Sequence, residues 1–162
     1  MGLDTYADDT GSENEFVGKC KDWLKKNKMI PADVDIDETK TSTHSPSWPW
    51  TACNSRVLAN TISKIQGLDF PFSSALNEDF RFHRDMDAEE TLQMGKRCLE
   101  FIERHLKELP ENHTIANGYT MENNQFVPAG QMPTKDVLRY CEKLARWFVM
   151  VGECGFGTVA SY

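Results

Sequence analysis

The sequence predicts a mainly α-helical domain with about four helices and long loops. Its length of 162 residues fits one domain. Apolar residues recur at helical spacing in four segments, and capping or helix-ending residues stand at the borders of these segments. Hydrophobic residues make up 40% of the chain and charged residues 27%, as in an ordinary globular protein. We therefore expect residues 1–162 to form a single globular domain.

The first predicted helix follows Ser12, because Ser12 and Glu15 have the spacing of a capping box. Its apolar stripe comprises Phe16, Cys20, Trp23 and Leu24. The second predicted helix begins near Asn54 and ends at Gly67, since glycine accepts the left-handed conformation that often follows a helix. Its buried face is expected to comprise Val57, Leu58, Ile62 and Ile65.

The third predicted helix has the strongest signal. Asp87 and Glu90 form another capping box, and Pro110 ends the segment. Its stripe comprises Leu92, Gly95, Leu99, Ile102, Leu106 and Leu109. Gly95 is expected to let another helix approach closely.

The fourth predicted helix opens after Pro133, with Thr134 as its cap. Its stripe comprises Val137, Cys141, Leu144, Phe148 and Val151. Gly152 and Gly155 are expected to end it.

The two ends of the chain are predicted to be strands. Residues 156–162 are short, β-branched and aromatic, and residues 3–7 have a similar character. We expect them to pair as a small two-stranded sheet that holds both termini.

The cysteines indicate neither a disulfide framework nor a zinc site. There are five of them, an odd number, they stand far apart, and no two have CxxC spacing. Three lie on the apolar stripes of predicted helices, where a free cysteine behaves as a small hydrophobic residue: Cys20, Cys98 and Cys141. We expect no cofactor and assign no catalytic residue or metal ligand.

The charge argues against nucleic acid as a direct partner. The formal net charge is −7, which repels phosphate backbones, whereas it suits a protein partner with a basic surface. The first residues lack the basic and apolar regions of a signal peptide. No segment approaches the ~18 continuous apolar residues of a membrane span. We therefore expect a soluble protein of the cytoplasm without a membrane partner.

Three segments carry a resemblance to a known family. They are Met1 to Ala7, Ser55 to Phe70, and Cys154 to Val159. In these the chain resembles small bacterial and phage proteins that begin Met-Gly-Leu-Asp-Thr-Tyr-Ala. The chain departs from that pattern in Trp48-Pro49-Trp50, in its 111–133 loop and in lacking a glycine-rich run before Ser55. The resemblance implies a bacterial or phage origin and carries no activity.

Two small-enzyme interpretations stay open as alternatives. Cys53 precedes the second helix, whose N-terminus would lower the pKa of a thiol, and His44 lies in the same loop as a candidate base. His83, Asp85 and Asp87 alternate ahead of the third helix, so in an extended segment they would face one side, as ligands of a divalent ion do.

The aromatic loops are the candidate binding surface. Trp48 and Trp50 either cover the core or serve as exposed anchors, and tryptophan is enriched at binding hot spots. Phe70 and Phe72 add aromatic surface in a second loop, and Arg56 lies in the first turn of the second helix. The long loops at 31–53, 68–86 and 110–133 are expected to hold the function.

The leading expectation is thus a non-enzymatic binding or regulatory protein that engages a protein partner through these loops. A further alternative is an oligomeric structural or virion-associated subunit, assembled through the stripe on the third helix.

Overall fold

The four predicted helices are present in the structure, a computed structural model that describes residues 4–8, 13–28, 52–53, 55–67, 78–82, 84–116, 119–128 and 130–161. They are α1 (Glu13–Lys26), α2 (Ser55–Ile65), α3 (Ala88–Glu108) and α4 (Thr134–Glu153). A short 3₁₀ helix spans Glu78–Phe80. The chain is therefore mainly α, as predicted.

The two ends of the described chain meet in a sheet. Strand β1 (Asp4–Asp8) pairs antiparallel with the strand Gly157–Ser161, which is β7 in chain order. The pairing predicted from composition is thus confirmed. It is extended by β2 (Ala52–Cys53), which lies antiparallel on the other side of β1, with Thr5 opposite Cys53.

The opposite edge of β7 is covered by the segment ahead of α3. The Met86 N–H donates to the Thr158 carbonyl at 2.9 Å, and the Thr158 N–H donates back to the Met86 carbonyl at 2.8 Å. Beneath the sheet, the buried hydroxyl of Thr158 on β7 lies 3.2 Å from that of Thr91 on α3, so this contact connects α3 to the terminal strand.

Helices α3 and α4 form the most extensive packing contact between elements. Two glycines make it possible. A Cβ atom on Gly95 would lie 2.6 Å from the backbone nitrogen of Val149, and one on Gly152 would lie 2.6 Å from the backbone nitrogen of Leu92. The close approach expected at Gly95 is confirmed. The expected end of α4 is confirmed at Gly155, which follows the helix with a φ of 86°, whereas Gly152 lies within the last turn and serves the same contact as Gly95.

The apolar stripes of three helices match their predictions. In α1, for example, Phe16, Cys20 and Leu24 are buried and Trp23 is half-buried. The face of α3 matches in part: Gly95, Cys98 and Ile102 are buried as predicted, Met94 and Phe101 are buried beside them, and the predicted leucines are half-buried at the border. The close contact at Gly95 turns the face of α3 that carries these buried side chains toward α4.

The N-terminal end of α3 is capped as predicted, whereas that of α4 is not. Asp87 accepts a hydrogen bond from the Glu90 N–H, and Glu90 accepts one from the Asp87 N–H, so the predicted capping box is present. Thr134 is not a cap; it is the first helical residue and fully buried. Its N–H donates to the His113 carbonyl and its hydroxyl lies 2.6 Å from His113 Nδ1. A residue distant in sequence thus takes the role that a local cap would have.

The expectation of a plain loop at 110–133 is also wrong. Four short strands lie there: β3 (Thr114–Ala116), β4 (Tyr119–Glu122), β5 (Gln125–Pro128) and β6 (Gln131–Pro133). They form two antiparallel ribbons, with β4 paired to β5 at the tip and β3 paired to β6 next to α4.

Candidate functional site

Four of the five predicted binding residues lie outside the described residues: Trp48, Trp50, Phe70 and Phe72. The fifth, Arg56, is exposed on the first turn of α2. Whether these residues form one surface therefore remains a prediction.

The candidate nucleophile Cys53 lies inside the protein. It belongs to β2 and is 4% exposed, and its Sγ is 4.0 Å from the Leu144 carbonyl oxygen. Its candidate base, His44, lies outside the described residues. The position of Cys53 between the terminal sheet and α4 fits a structural side chain.

Two further thiols are buried between α3 and α4. Burial raises the pKa of Cys98 above its ordinary value, and it raises the pKa of Cys141 to about 11. Because the thiolate is the reactive form of cysteine, both side chains stay protonated and unreactive at neutral pH.

The candidate metal ligands are engaged in structural hydrogen bonds. Asp85 accepts a hydrogen bond from the Ala160 N–H at 3.1 Å, and Asp87 caps α3. His83 lies outside the described residues. Within the part of the chain that the structure describes, no three His, Cys, Asp or Glu side chains are grouped as a metal site.

The strongest surface feature is the hairpin formed by β4 and β5. Its turn residues, Asn123 and Asn124, have φ angles of 50° and 60°, the left-handed pair that closes a tight two-residue hairpin. In its register, Met121 is opposite Phe126 and Tyr119 is opposite Pro128. Since alternate residues of a strand share a face, these four apolar positions lie on one face of the hairpin.

The other face of the hairpin is more polar. Glu122 is opposite Gln125, and Thr120 is opposite Val127. The pattern of the two strands is therefore amphipathic, as in a strand pair that covers an apolar surface on one side.

Among the described elements, the strands of the hairpin make extensive contacts only with each other. All residues from Met121 to Gln125 are exposed, and Met121 is 62% exposed. Met121 has the largest exposed fraction of the exposed large hydrophobic residues in the described part, which are Tyr6, Met121, Tyr140 and Val159.

A smaller apolar pair lies on the outer face of the terminal sheet. Tyr6 and Val159 are direct cross-strand partners, and each is 37% exposed. Asp8, also exposed, lies two residues from Tyr6 on the same strand face. Each side chain of this pair is less exposed than that of Met121. The hairpin is therefore the candidate binding site.

Sequence reasoning missed the hairpin, although a signal was present. Asn-Asn stands between Tyr-Thr-Met-Glu and Gln-Phe-Val-Pro, two four-residue segments of mixed apolar and polar residues. Asparagine tolerates the left-handed conformation that such a turn requires. The segment was interpreted only by its length and its position between helices.

The apolar stripe of α3, the predicted assembly surface, takes part in packing within the chain. Gly95 and Ile102 are buried, and Leu99, Leu106 and Leu109 are half-buried against the core. Assembly of a second copy on the rest of this stripe stays a prediction.

Comparison with models of protein families, with curated proteins and with solved structures finds no match to this chain. Among the described helices, none is both long and apolar enough to cross a membrane.

Proposed function

We propose that the protein is a non-enzymatic binding or regulatory protein that engages a protein partner through its apolar loop segments. The observation that carries this proposal is the amphipathic hairpin, on which Met121 is 62% exposed and which packs extensively only on itself. An exposed apolar side chain beside polar ones is typical of a binding site.

The energetics of the hairpin favour a bound state. An isolated two-stranded hairpin is marginally stable in water. A partner that covers Met121 and its face removes apolar area from water, at about 25 cal/mol per Å². Binding therefore stabilises the hairpin as well as the complex.

The charge defines the partner that fits best. The chain carries a formal net charge of −7, and the exposed Glu122 is adjacent to Met121. A protein with an apolar pocket and a basic rim would complement both features. The aromatic residues Trp48, Trp50, Phe70 and Phe72, together with Arg56, are proposed as further contacts.

The sequence supports a proposal for the cellular setting. The N-terminal Met1 to Ala7 segment resembles bacterial and phage proteins, and the composition is that of a soluble globular chain. We propose that the protein acts in the cytoplasm of a bacterium, as a product of the bacterium or of a phage that infects it.

The test begins with partner identification and rests on a measured affinity. A tagged protein is used to capture partners from bacterial lysate, and the dissociation constant is then measured with the purified partner. We expect Met121→Ala to weaken binding by about ten-fold or more, since a hot-spot truncation costs over 1 kcal/mol. Gln125→Ala, on the exposed opposite face, is the matched control and should bind as the wild type does.

A second variant separates the hairpin from the aromatic loops. Trp48→Ala/Trp50→Ala should weaken the same complex if the loops contribute. Equal affinity of the wild type, Met121→Ala and the double tryptophan variant would contradict the proposal. A mass that rises with protein concentration in light scattering, in Met121→Ala as in the wild type, would instead support the oligomeric alternative through α3.

A further inference from the structure

Two cysteines from opposite ends of the chain meet where α1 packs against the end of α4. Cys20 is fully buried on α1, and Cys154, the residue that follows α4, is half-buried. The two thiols interact directly with each other, as the geometry of a disulfide requires of its two cysteines.

The surrounding contacts hold the two elements in place. The rings of Phe16 and Phe156 meet edge to face, with centroids 5.1 Å apart. The Trp23 indole N–H donates to a Glu153 carboxylate oxygen at 2.5 Å. Phe16 and Trp23 lie one helical turn before and one turn after Cys20 on α1. The two contacts therefore hold Cys20 close to Cys154 on both sides.

The two thiols differ in a way that assigns their roles. The hydrogen bond to Cys154, together with burial, raises the pKa of Cys20 above its ordinary value. The hydrogen bond from Cys20 lowers the pKa of Cys154, and the nearby Lys19 acts in the same direction, whereas burial and the carboxylates of Glu153 and Asp22 oppose it. Cys154 is therefore the more acidic thiol of the pair and the one that solvent reaches.

We propose that Cys20 and Cys154 form an intramolecular disulfide when the protein meets a peroxide, and that this bond locks α1 onto the end of α4. The Cys154 thiolate attacks one peroxide oxygen and becomes a sulfenic acid, and the other oxygen leaves as water after taking up a proton. The sulfur of Cys20 then attacks the sulfenic sulfur. The S–O bond breaks, and the proton of Cys20 leaves with the hydroxide as a second water.

Overall, two thiols are oxidised by two electrons and one hydrogen peroxide is reduced to two waters. The other close pair, Cys98 and Cys141, lies wholly inside the protein. Peroxide reaches neither of these thiols from solvent, so the reaction is specific to the pair at the end of α4. This inference is independent of the proposed binding function.

The test uses the full-length reduced protein and a small excess of hydrogen peroxide. We expect the number of free thiols, five before treatment, to fall by two, and the intact mass to fall by about 2 Da. Peptide mapping without reductant should find Cys20 linked to Cys154. The bond encloses most of the chain, so oxidation should raise Tm by about 5–10 °C, and dithiothreitol should reverse the change.

Two variants serve as controls. Cys154→Ser, at a half-buried position, should keep all its remaining thiols and show no rise in Tm. Cys98→Ala should still lose two thiols. A link between Cys98 and Cys141, a link between two molecules, or a stable sulfenic acid on Cys154 without a crosslink would each overturn the proposal. Mapping of the wild-type protein decides the matter even if a variant fails to fold.

Discussion

At the scale of single residues, the contact between α3 and α4 depends on two glycines, which have no side chain. Gly95 and Gly152 each bring the backbone of one helix against the other, and a methyl group at either position would overlap backbone atoms. Glycine costs a helix interior about 1 kcal/mol relative to alanine. The protein accepts this cost twice because the two backbones cannot otherwise approach.

We predict that Gly95→Ala lowers the free energy of unfolding by about 2 kcal/mol, because the clash with Val149 outweighs the gain in helix propensity. Gly18 is the matched control: it lies on α1, is exposed, and a Cβ atom there would have no neighbour within 4 Å. Gly18→Ala should raise the free energy of unfolding by about 0.5–1 kcal/mol. Urea denaturation measures both. A stabilising Gly95→Ala variant would show that the helices pack less closely than described.

At the scale of elements, the strands of this protein differ in how they are supported. The terminal sheet is anchored on both edges and beneath: β2 pairs with one side of β1, Met86 pairs with β7, and Thr158 contacts α3. The β4–β5 hairpin lacks comparable support among the described elements. Local stability follows such differences in contact.

We predict that amide exchange distinguishes the two. The amides of Met86 and Thr158, which donate to each other's carbonyls, should exchange slowly, and β1 and β7 should share this protection at Thr5 and Val159. The amides of the hairpin should exchange about 100-fold faster or more, because the hairpin opens without disturbing the core. Exchange measured by NMR in the free protein provides the check, and a hairpin as protected as α3 would contradict it. Added partner should slow exchange in the hairpin.

At the scale of the whole molecule, one core joins the helices and the terminal sheet. Phe148 lies near its centre: it is fully buried, and its ring centroid is 5.5 Å from that of Phe82 and 5.0 Å from that of Trp147. Such a core relaxes only in part when a large side chain is removed, so both the lost burial and the remaining cavity destabilise the protein.

We predict that Phe148→Ala lowers the free energy of unfolding by about 3–5 kcal/mol. Tyr140 on the same helix is 37% exposed, so Tyr140→Ala should cost clearly less. Thermal and urea unfolding, followed by circular dichroism, measure both variants. Equal losses would indicate that the core is not centred on the inner face of α4.

The sequence by itself determined the features that depend on neighbours within one helix or strand. The positions of the four helices, the capping box of Asp87 and Glu90, the stripe of α1 and the strand character of both termini all follow from local spacing and capping. The candidate site was only partly predictable: the long 110–133 segment was expected to hold function, but the hairpin that presents Met121 was not recognised.

The tertiary structure alone decided what depends on partners far away in the chain. The buried face of α3 follows from the approach of α4. At the start of α4, the Thr134 N–H donates to the His113 carbonyl instead of to a local cap, and Cys20 meets Cys154 across nearly the whole sequence. Periodicity describes which side of a helix is apolar, but it holds no information about which other element covers that side. That choice is made by the packing of backbones and side chains in three dimensions.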